Sequence, residues 1–527
     1  MNDTAPEPRP GLLSRWTDRA LATVERVGNR LPDPITLFVL FMGIVLLASW
    51  LAAALGVSAV HPGTDEEIRA VNLLTADGIQ RILTEMPRTF TDFPPLGLVL
   101  VVMLGIGVAE RTGLIETALR ALLSGIPDWL VTAAVVLAGL LSSVAVDAGY
   151  VVLIPLGAVI FHGVGRHPIA GLAAAFAGVS GGFSSNITLT ALDPLLAGFT
   201  QPAAHLVNEG YVVDATANWW LMIALVPVFV VAGTFVTERV LEPRLGTYTG
   251  TPEEEEDDEA IPTEAGAPPE PGAPLTAVHK RGLAWAGATA VACLAAIVWM
   301  ALPEPGILRG PEGGLDPLLS SIVALMLFVF FLPGLAYGLA TGSIRSDRDV
   351  AKMTSDTMAS MGAYIVLAFA AAHFIAFFNW SNLGLILAVS GADFLEAVNF
   401  TGVPLIVAFI VVSAFINLFI GSASAKWAIM APVFVPMLML VGYSPELTQA
   451  AYRVGDSFTN ILTPMLPYYP LVIIFAQKYD REAGIGTLVS AMLPFSVVFG
   501  VLGIAMVVAW MVLGLPLGPG APMYYQM

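Results

Sequence analysis

The chain has 527 residues, of which 56% are hydrophobic and only 12% are charged. An average soluble domain carries roughly 25% charged residues, so this composition excludes a soluble domain and predicts an all-α, polytopic membrane protein. The formal net charge of −18 disfavours nucleic acid as a partner, and the single cysteine, Cys293, excludes a disulfide framework or a cysteine-based metal site.

The hydrophobic stretches predict nine crossings of the bilayer. Residues 1–34 are polar and rich in arginine, which predicts a cytoplasmic tail rather than a cleavable signal peptide. A crossing needs about 20 apolar residues. Two predicted spans, at about 169–200 and 446–478, contain polar breaks. Seven plain spans are predicted at about 35–57, 95–119, 217–240, 283–302, 316–340, 358–390 and 486–514.

Two further apolar segments, about 129–163 and about 403–441, are too short for two complete crossings, which need about 40 apolar residues plus a turn. The first breaks at Ser142-Ser143 and near Asp147, and the second breaks at Gly421-Ser422. Unwound backbone at membrane depth is tolerated only where protein or water covers it. Each segment is therefore predicted to be a re-entrant hairpin.

An acidic stretch rich in proline at 243–280 is predicted to be a disordered cytoplasmic linker. It separates a first transmembrane half, 35–242, from a second half, 281–515, and a C-terminal tail follows at 516–527.

The basic residues predict the orientation. With the N-terminus inside, seventeen Lys and Arg fall on the inner side, four fall on the outer side, and Lys426 and Arg453 lie within the membrane. This positive-inside distribution predicts a cytoplasmic N-terminus and a periplasmic C-terminus. The first hairpin then enters from the inside and the second from the outside.

The two halves share a pattern at an offset of 277 residues. At this offset Gly165-Arg-His-Pro168 matches Gly442-Tyr-Ser-Pro445, and Gly178-Val-Ser180 matches Gly455-Asp-Ser457. After a slip of three residues, Ser185-Asn186-Ile187 matches Thr459-Asn460-Ile461, and upstream the hairpin break Ser142-Ser143 matches Gly421-Ser422. Because the hairpins enter from opposite faces, the halves are predicted to be inverted copies. Inverted repeats with broken helices are typical of secondary transporters, whose site lies near the midplane, here between the hairpin tips, Asn186 and Asn460.

Ionisable residues at membrane depth normally face a cavity or a partner. Arg453 and Asp456 are three residues apart on one helix face. They either form an intrahelical ion pair, or Asp456 couples an ion while Arg453 is its partner or clamps an anion. Lys426 either snorkels towards water or pairs with an acid.

Several strings resemble the p-aminobenzoyl-glutamate transporter (AbgT) family of the ion transporter superfamily. They are FPPLG at 93–97, SGGFSSNITLTALDP at 180–194, GSASAKWAIMAPVFVPM at 421–437 and YRVGDSFTNILTPMLPYYP at 452–470. The resemblance implies a homodimer whose protomers combine an inner core of hairpins and broken helices with an outer scaffold. It also implies import of p-aminobenzoyl-glutamate, a small anionic aromatic substrate, or export of antimetabolites such as sulfonamides.

The family's functional positions fall on a defined set of residues in this sequence. For substrate and transport they are Asp193, Ser424, Trp427, Arg453, Asp456 and Pro464, and for sodium they are Asn417 and Asp456.

Three of these residues also have simpler explanations. Asp193 precedes Pro194 and either ends a helix or lines the pathway as a proton carrier. Trp427 either stacks on an aromatic ligand or packs in the core. Asn417 either offers its oxygen to a cation or hydrogen-bonds the backbone.

The sequence therefore predicts a secondary active transporter of the bacterial inner membrane, with sodium suited to an importer and protons to a drug exporter. No cofactor other than sodium is expected. A passive channel and an intramembrane hydrolase using Asp193 and Asp456 are the alternatives outside this class. The hydrolase lacks local catalytic signatures, and no GxxxxGK[ST] loop for ATP occurs. An enzyme is not expected.

Overall fold

The computed structural model describes residues 32, 34–60, 67–123, 126–144, 149–248, 275–303, 306–310 and 314–526. The predictions for most of the N-terminal tail, for Asp147 and for most of the acidic linker lie outside these residues.

The described chain is mostly helical. Its helices, in chain order, are α1 Pro34–Ala54, α2 Ala76–Thr91, α3 Pro94–Arg111, α4 Leu114–Leu123, α5 Val131–Leu141, α6 Ile154–Gly163, α7 Pro168–Phe176, α8 Leu192–Ala204, α9 Trp219–Phe235, α10 Glu242–Leu245, α11 Ala277–Ala301, α12 Asp316–Ser320, α13 Ile322–Thr341, α14 Asp347–Ser360, α15 Gly362–Trp380, α16 Leu383–Ala397, α17 Gly402–Asn417, α18 Ala423–Leu440, α19 Pro445–Thr459, α20 Tyr469–Gln477 and α21 Ile485–Leu513. Two short strands, β1 Ser58–Val60 and β2 Glu67–Arg69, pair antiparallel.

Eight helical runs in the described residues are long and apolar enough to cross a membrane. Seven coincide with the predicted plain spans, and the eighth is α18, the second arm of the second predicted hairpin. The remaining two predicted spans consist of shorter helices separated by unwound segments, α7 with α8 and α19 with α20. The predicted interruptions therefore exist, while the count of nine crossings stays a prediction.

Each predicted hairpin segment contains two helical arms. The second has arms α17 and α18 around residues 418–422, and the first has arms Asp128–Val144 and Gly149–Gly163, between which residues 145–148 lie outside the described part of the chain. Three of these arms have at most 17 residues, fewer than the roughly 20 that a plain crossing needs. That the hairpins turn back within the bilayer stays a prediction.

The two halves place their matching turns in the same conformation. Gly165 and Gly442 both have a positive φ, of 73° and 94°, which glycine adopts without steric cost. Each turn then caps the following helix, through His167 before α7 and Ser444 before α19. A proline at the first helical position follows each cap, because its missing N–H would be unpaired there anyway.

Matching glycines pack against matching hairpin arms. A Cβ built on Gly178 would lie 2.6 Å from the carbonyl oxygen of Val136 in α5, and one on Gly455 would lie 2.5 Å from that of Ile410 in α17. Each interrupted helix therefore touches the first arm of its own hairpin closely. The predicted repeat is present in three dimensions.

The two matching turns lie at opposite ends of the helical run Trp219–Leu245. Arg166 donates to both carboxylate oxygens of Glu242 (2.7 and 2.9 Å) near one end. Leu517 of the C-terminal tail accepts a hydrogen bond from the N–H of Trp220 (2.9 Å) at the other. The same tail contacts the second turn, where Ser444 donates to the carbonyl oxygen of Pro522 (2.7 Å). The halves are thus inverted relative to each other.

Helix α13 packs against both α3 and α11, and α3 in turn contacts α8, so these three helices form a layer beside the broken helices. Most of α11 is exposed, as expected for a helix that faces lipid. The main buried core contains residues of the hairpins and of both interrupted helices. This arrangement agrees with the predicted division into inner core and outer scaffold.

Several local features differ from the sequence prediction. The predicted span 95–119 is two helices, because Gly113 takes a positive φ of 84° between them. The predicted span 358–390 is broken at Asn382, whose φ is 59° and whose side chain donates to the carbonyl oxygen of Arg69 (2.9 Å). The amphipathic helices α2 and α14 and the pair of strands were not predicted.

Candidate functional site

The second hairpin brings an unwound segment into the buried interior. Asn417 is the last residue of α17, and residues 418–422 separate it from α18. Ser422 caps α18 by accepting a hydrogen bond from the N–H of Ala425 (3.3 Å), which satisfies one of the unpaired donors of a helix start. Lys426 therefore lies in the first turn of α18, beside the end of α17.

A buried cluster surrounds the Lys426 ammonium. Lys426 forms a salt bridge with Oδ1 of Asp456 and donates a hydrogen bond to Oδ1 of Asn417. The Asn417 amide nitrogen donates to the carbonyl oxygen of Asp456 (2.7 Å), to Oγ1 of Thr459 (2.8 Å) and to Oδ1 of Asn460 (2.8 Å). The Lys426 and Asp456 side chains are 0% and 1% exposed, so Lys426 pairs with an acid and does not snorkel.

Arg453 pairs with the other half of the protein rather than with Asp456 on its own helix. Its Nη1 donates to Oδ1 of Asp193 at 2.6 Å, and both side chains are buried. The second oxygen of Asp193 accepts from the N–H (2.6 Å) and the hydroxyl (2.9 Å) of Thr190, so the carboxylate is fully engaged. Nε and Nη2 of Arg453 have no hydrogen-bond partner among the described residues. Two buried guanidinium donors are thus available to an acceptor.

Trp427 is fully buried and makes specific contacts. Its Nε1–H donates to Oγ1 of Thr200 (2.9 Å), and its ring stacks on Tyr452 at a centroid distance of 4.4 Å. The Tyr452 hydroxyl in turn donates to the carbonyl oxygen of Ala423 (2.6 Å) in the tip of the second hairpin. In this structure Trp427 contacts protein side chains and supports the tip.

The two asparagines of the repeat both contact the first arm of their own hairpin. Asn186 donates to Oγ of Ser143 (2.8 Å), just as Asn460 contacts Asn417. Ser142 and Ser143 donate to backbone carbonyl oxygens one turn earlier, as expected for serines at a helix end. Each unwound segment is therefore tied to a hairpin by its asparagine.

Pro464 lies in the unwound segment between α19 and α20 and is half-buried. Its neighbour Thr463 donates to the carbonyl oxygen of Leu418 in the break of the second hairpin (2.9 Å). The two breaks of the second half therefore lie against each other, and Pro464 sits at that contact.

A cavity of about 330 Å³ lies between the tips of both hairpins and the scaffold. Val144 of the first hairpin and Ala423 and Ser424 of the second line it, together with Glu110 of α3 and Tyr364 of α15. Ser424 is the predicted transport residue that reaches this cavity, and its hydroxyl lies 3.2 Å from that of Ser422.

Sequence reasoning missed Glu110. It is the charged residue among those that line this cavity. The available signal was a carboxylate inside the predicted span 95–119, which meets the general rule that an ionisable residue within a membrane segment marks a functional site. The pairing of Lys426 with Asn417 and Asp456 was missed as well, because residues 9 and 30 positions away do not share a helix face.

The expected sodium ligands do not fit a resident sodium ion in this arrangement. The two oxygens that sodium would use, Oδ1 of Asn417 and Oδ1 of Asp456, already accept from the Lys426 ammonium. A sodium ion beside that ammonium would add a second positive charge to a neutral buried pair. Among the described residues no group of three or more His, Cys, Asp and Glu side chains forms another metal site.

The hydrolase alternative requires two carboxylates that share one site. Asp193 and Asp456 are instead each bound to a cation of their own, Arg453 and Lys426. Paired catalytic carboxylates need a common substrate position, and this arrangement gives them separate partners.

The chain is similar to a known protein family and to three of its members. The sequence profile of the AbgT putative transporter family matches residues 19–525. The p-aminobenzoyl-glutamate transport protein of Escherichia coli K12 is 37% identical over 500 residues, which cover 94% of this chain and 95% of that protein.

Two solved structures share the fold of this chain over almost its whole length. The Alcanivorax borkumensis YdaH transporter is 44% identical with a TM-score of 0.86, and covers 93% of this chain and 100% of its own. Neisseria gonorrhoeae MtrF, described as illuminating a class of antimetabolite efflux pumps, is 49% identical with a TM-score of 0.88, and covers 96% and 100%.

Proposed function

The chain belongs to the AbgT putative transporter family and is a multi-pass membrane protein, and from that premise we propose that it is a secondary active transporter of p-aminobenzoyl-glutamate and related aromatic carboxylates in the bacterial inner membrane. The Asp193–Arg453 contact carries this proposal. It joins the interrupted helices of the two inverted halves and leaves two buried guanidinium donors without a partner. Guanidinium groups bind carboxylates through such donors with strong, directional hydrogen bonds.

The cavity between the hairpin tips supports an aromatic ligand. Its volume of about 330 Å³ lies at the lower end of the roughly 300–1,000 Å³ typical of small-molecule sites. Most of its lining is apolar, from Val99 and Ile106 to Phe183 and Leu192, and Glu110 and Ser424 add polar groups. We propose that the aminobenzoyl ring lies there and that the carboxylates of the ligand lie towards Arg453.

Transport requires the site to open alternately to the two faces. The cavity lies between the hairpin tips, the unwound segment before α8 and the scaffold helix α3, so movement of the core as one body against α3 would open it. A ligand shifts such an equilibrium only by binding one arrangement more tightly than the other. In this proposal the core moves against the layer of α3, α11 and α13.

The choice of driving ion depends on the Lys426 ammonium, which already occupies the expected sodium position. A sodium ion would have to displace the Lys426 ammonium from Asn417 and Asp456. A proton gradient requires no further cation site, so we propose protons as the driving ion. The homodimer stays a prediction, which light scattering of the purified protein tests.

Export of antimetabolites such as sulfonamides is the second candidate, and the 49% identity to MtrF supports it. Both ligand classes carry an aromatic amine, so one cavity serves either. Binding and counterflow measurements with p-aminobenzoyl-glutamate and with a sulfonamide distinguish them. Tight binding and counterflow of p-aminobenzoyl-glutamate alone supports the first candidate, counterflow of the sulfonamide alone supports the second, and the absence of both overturns the substrate assignment.

A further inference from the structure

The position between Asn417 and Asp456 is the one a monovalent cation would take, and the chain itself fills it. The Lys426 side chain is 0% exposed, and its ammonium contacts one oxygen of each residue. The Asn417 amide is held in this orientation, because its nitrogen donates to three acceptors of α19 and the segment after it, which leaves the oxygen facing Lys426.

The first half of the repeat has no counterpart of this cluster. At the offset of 277, Lys426 corresponds to Gly149, Asp456 to Val179 and Asn417 to Leu140. The first two counterparts are also neighbours, since a Cβ built on Gly149 would lie 3.0 Å from Cγ1 of Val179. The same contact between hairpin and interrupted helix is therefore apolar in one half and charged in the other.

A buried carboxylate needs a positive partner, because an isolated charge in the interior is strongly unfavourable. Asp456 has two ways to obtain one: a diffusible cation or a tethered ammonium. An ammonium group donates at most three hydrogen bonds. Here it contacts the oxygens of Asn417 in α17 and Asp456 in α19, the same two oxygens that a bound cation would bridge.

We propose that the Lys426 ammonium is the resident cation of this site and takes the place of sodium, so that it fixes the second hairpin to α19 permanently. A covalently attached ammonium cannot be released across the membrane, as a coupling ion must be. This site then holds the second half together instead of coupling transport to sodium, and it is closed to sodium as long as Lys426 is present.

The test measures thermal unfolding of the purified full-length protein in detergent, in NaCl and in choline chloride at equal ionic strength. The wild type is expected to unfold at the same temperature in both salts. Lys426→Met keeps an unbranched side chain that is one atom shorter and removes the charge, so Asp456 and Asn417 become available to sodium. This variant is expected to be less stable in choline and to regain about 2–4 °C in NaCl, because a ligand that binds only the folded state raises its stability.

Two controls isolate the site. Lys426→Met combined with Asp456→Asn removes both charges and is expected to show no difference between the salts. Lys352→Met makes the same substitution at an exposed lysine of α14 and is expected to behave as the wild type.

Either of two results overturns the proposal. One is a sodium-specific stabilisation of the wild type that Asp456→Asn abolishes, since sodium would then bind with Lys426 in place. The other is a Lys426→Met variant that is as stable as the wild type in choline. If Lys426→Met does not fold in either salt, the comparison of wild type with Asp456→Asn decides alone. None of these measurements uses a transport substrate, so they are independent of the proposed function.

Discussion

Arg453 donates a hydrogen bond of 2.6 Å to Asp193, 260 residues away, and this contact joins the interrupted helices of the two halves. Both side chains are almost completely buried. Removing one partner of a buried ion pair leaves an uncompensated charge and typically costs about 3–5 kcal/mol. The pair is therefore expected to contribute strongly to the contact between the halves.

We expect Asp193→Asn and Arg453→Gln each to lower the free energy of unfolding by about 3–5 kcal/mol, and the double variant to cost less than the sum of the two. Thermal or denaturant unfolding of the four proteins in detergent gives the coupling energy. Additive effects of the two substitutions would show that the residues do not interact.

Substitution of either of the matching glycines, Gly178 or Gly455, by alanine is expected to lower stability in the same way. In Gly178→Ala and Gly455→Ala the new Cβ would meet a backbone carbonyl oxygen at 2.6 and 2.5 Å, so the interrupted helix must move away from its hairpin arm. Overpacking of this kind costs roughly 1–3 kcal/mol. Gly43→Ala in α1, where nothing lies within 4 Å of the new Cβ, is the matched control and is expected to be neutral or stabilising. Stability measurements check all three, and a neutral Gly178→Ala or Gly455→Ala would argue against the close packing of the repeat.

Substitution of Trp427 is expected to affect stability through its N–H group and to leave ligand affinity almost unchanged. Trp427→Phe keeps an aromatic ring against Tyr452 and loses the hydrogen bond to Thr200, which costs about 1–3 kcal/mol of stability because Thr200 is buried. The affinity for p-aminobenzoyl-glutamate should stay within about twofold, because the ring is covered by Tyr452. Unfolding and equilibrium binding separate the two effects. A large loss of affinity with unchanged stability would instead place the Trp427 ring against the ligand.

Glu110 predicts a gain of affinity when its charge is removed. It lines the cavity between the hairpin tips, and p-aminobenzoyl-glutamate carries two carboxylates. Two like charges roughly 8 Å apart repel by about 2 kcal/mol at an effective dielectric constant of about 20. Glu110→Gln should therefore bind the ligand more tightly, by up to about 30-fold, as equilibrium binding would show. Glu209→Gln, at an exposed carboxylate, is the matched control, and equal affinities of both variants would remove Glu110 from the ligand cavity.

The sequence contained the signals for the architecture because membrane segments obey strict rules. Apolar length located seven plain spans, and polar residues within apolar sequence located the breaks before α8, α18 and α20. The turns at Gly165 and Gly442 were found by the repeat, since a glycine with positive φ followed by a capping residue and proline has a distinctive order.

The side-chain partners at the site were not available from the sequence. The choice of Arg453 between Asp456, three residues away, and Asp193, 260 residues away, depends on how the halves pack and not on helix periodicity. The same holds for Lys426, whose partners lie on two other elements. Local breaks such as Asn382 were missed because an asparagine in αL conformation depends on a tertiary hydrogen bond, here to Arg69.

The account as a whole is tested most directly by uptake of p-aminobenzoyl-glutamate into proteoliposomes with an imposed proton or sodium gradient. We expect accumulation above the external concentration that depends on the proton gradient, disappears with a protonophore, and is unchanged when the sodium gradient is removed. Uptake that reaches but never exceeds equilibrium would show a passive channel, and accumulation driven by the sodium gradient alone would contradict protons as the driving ion.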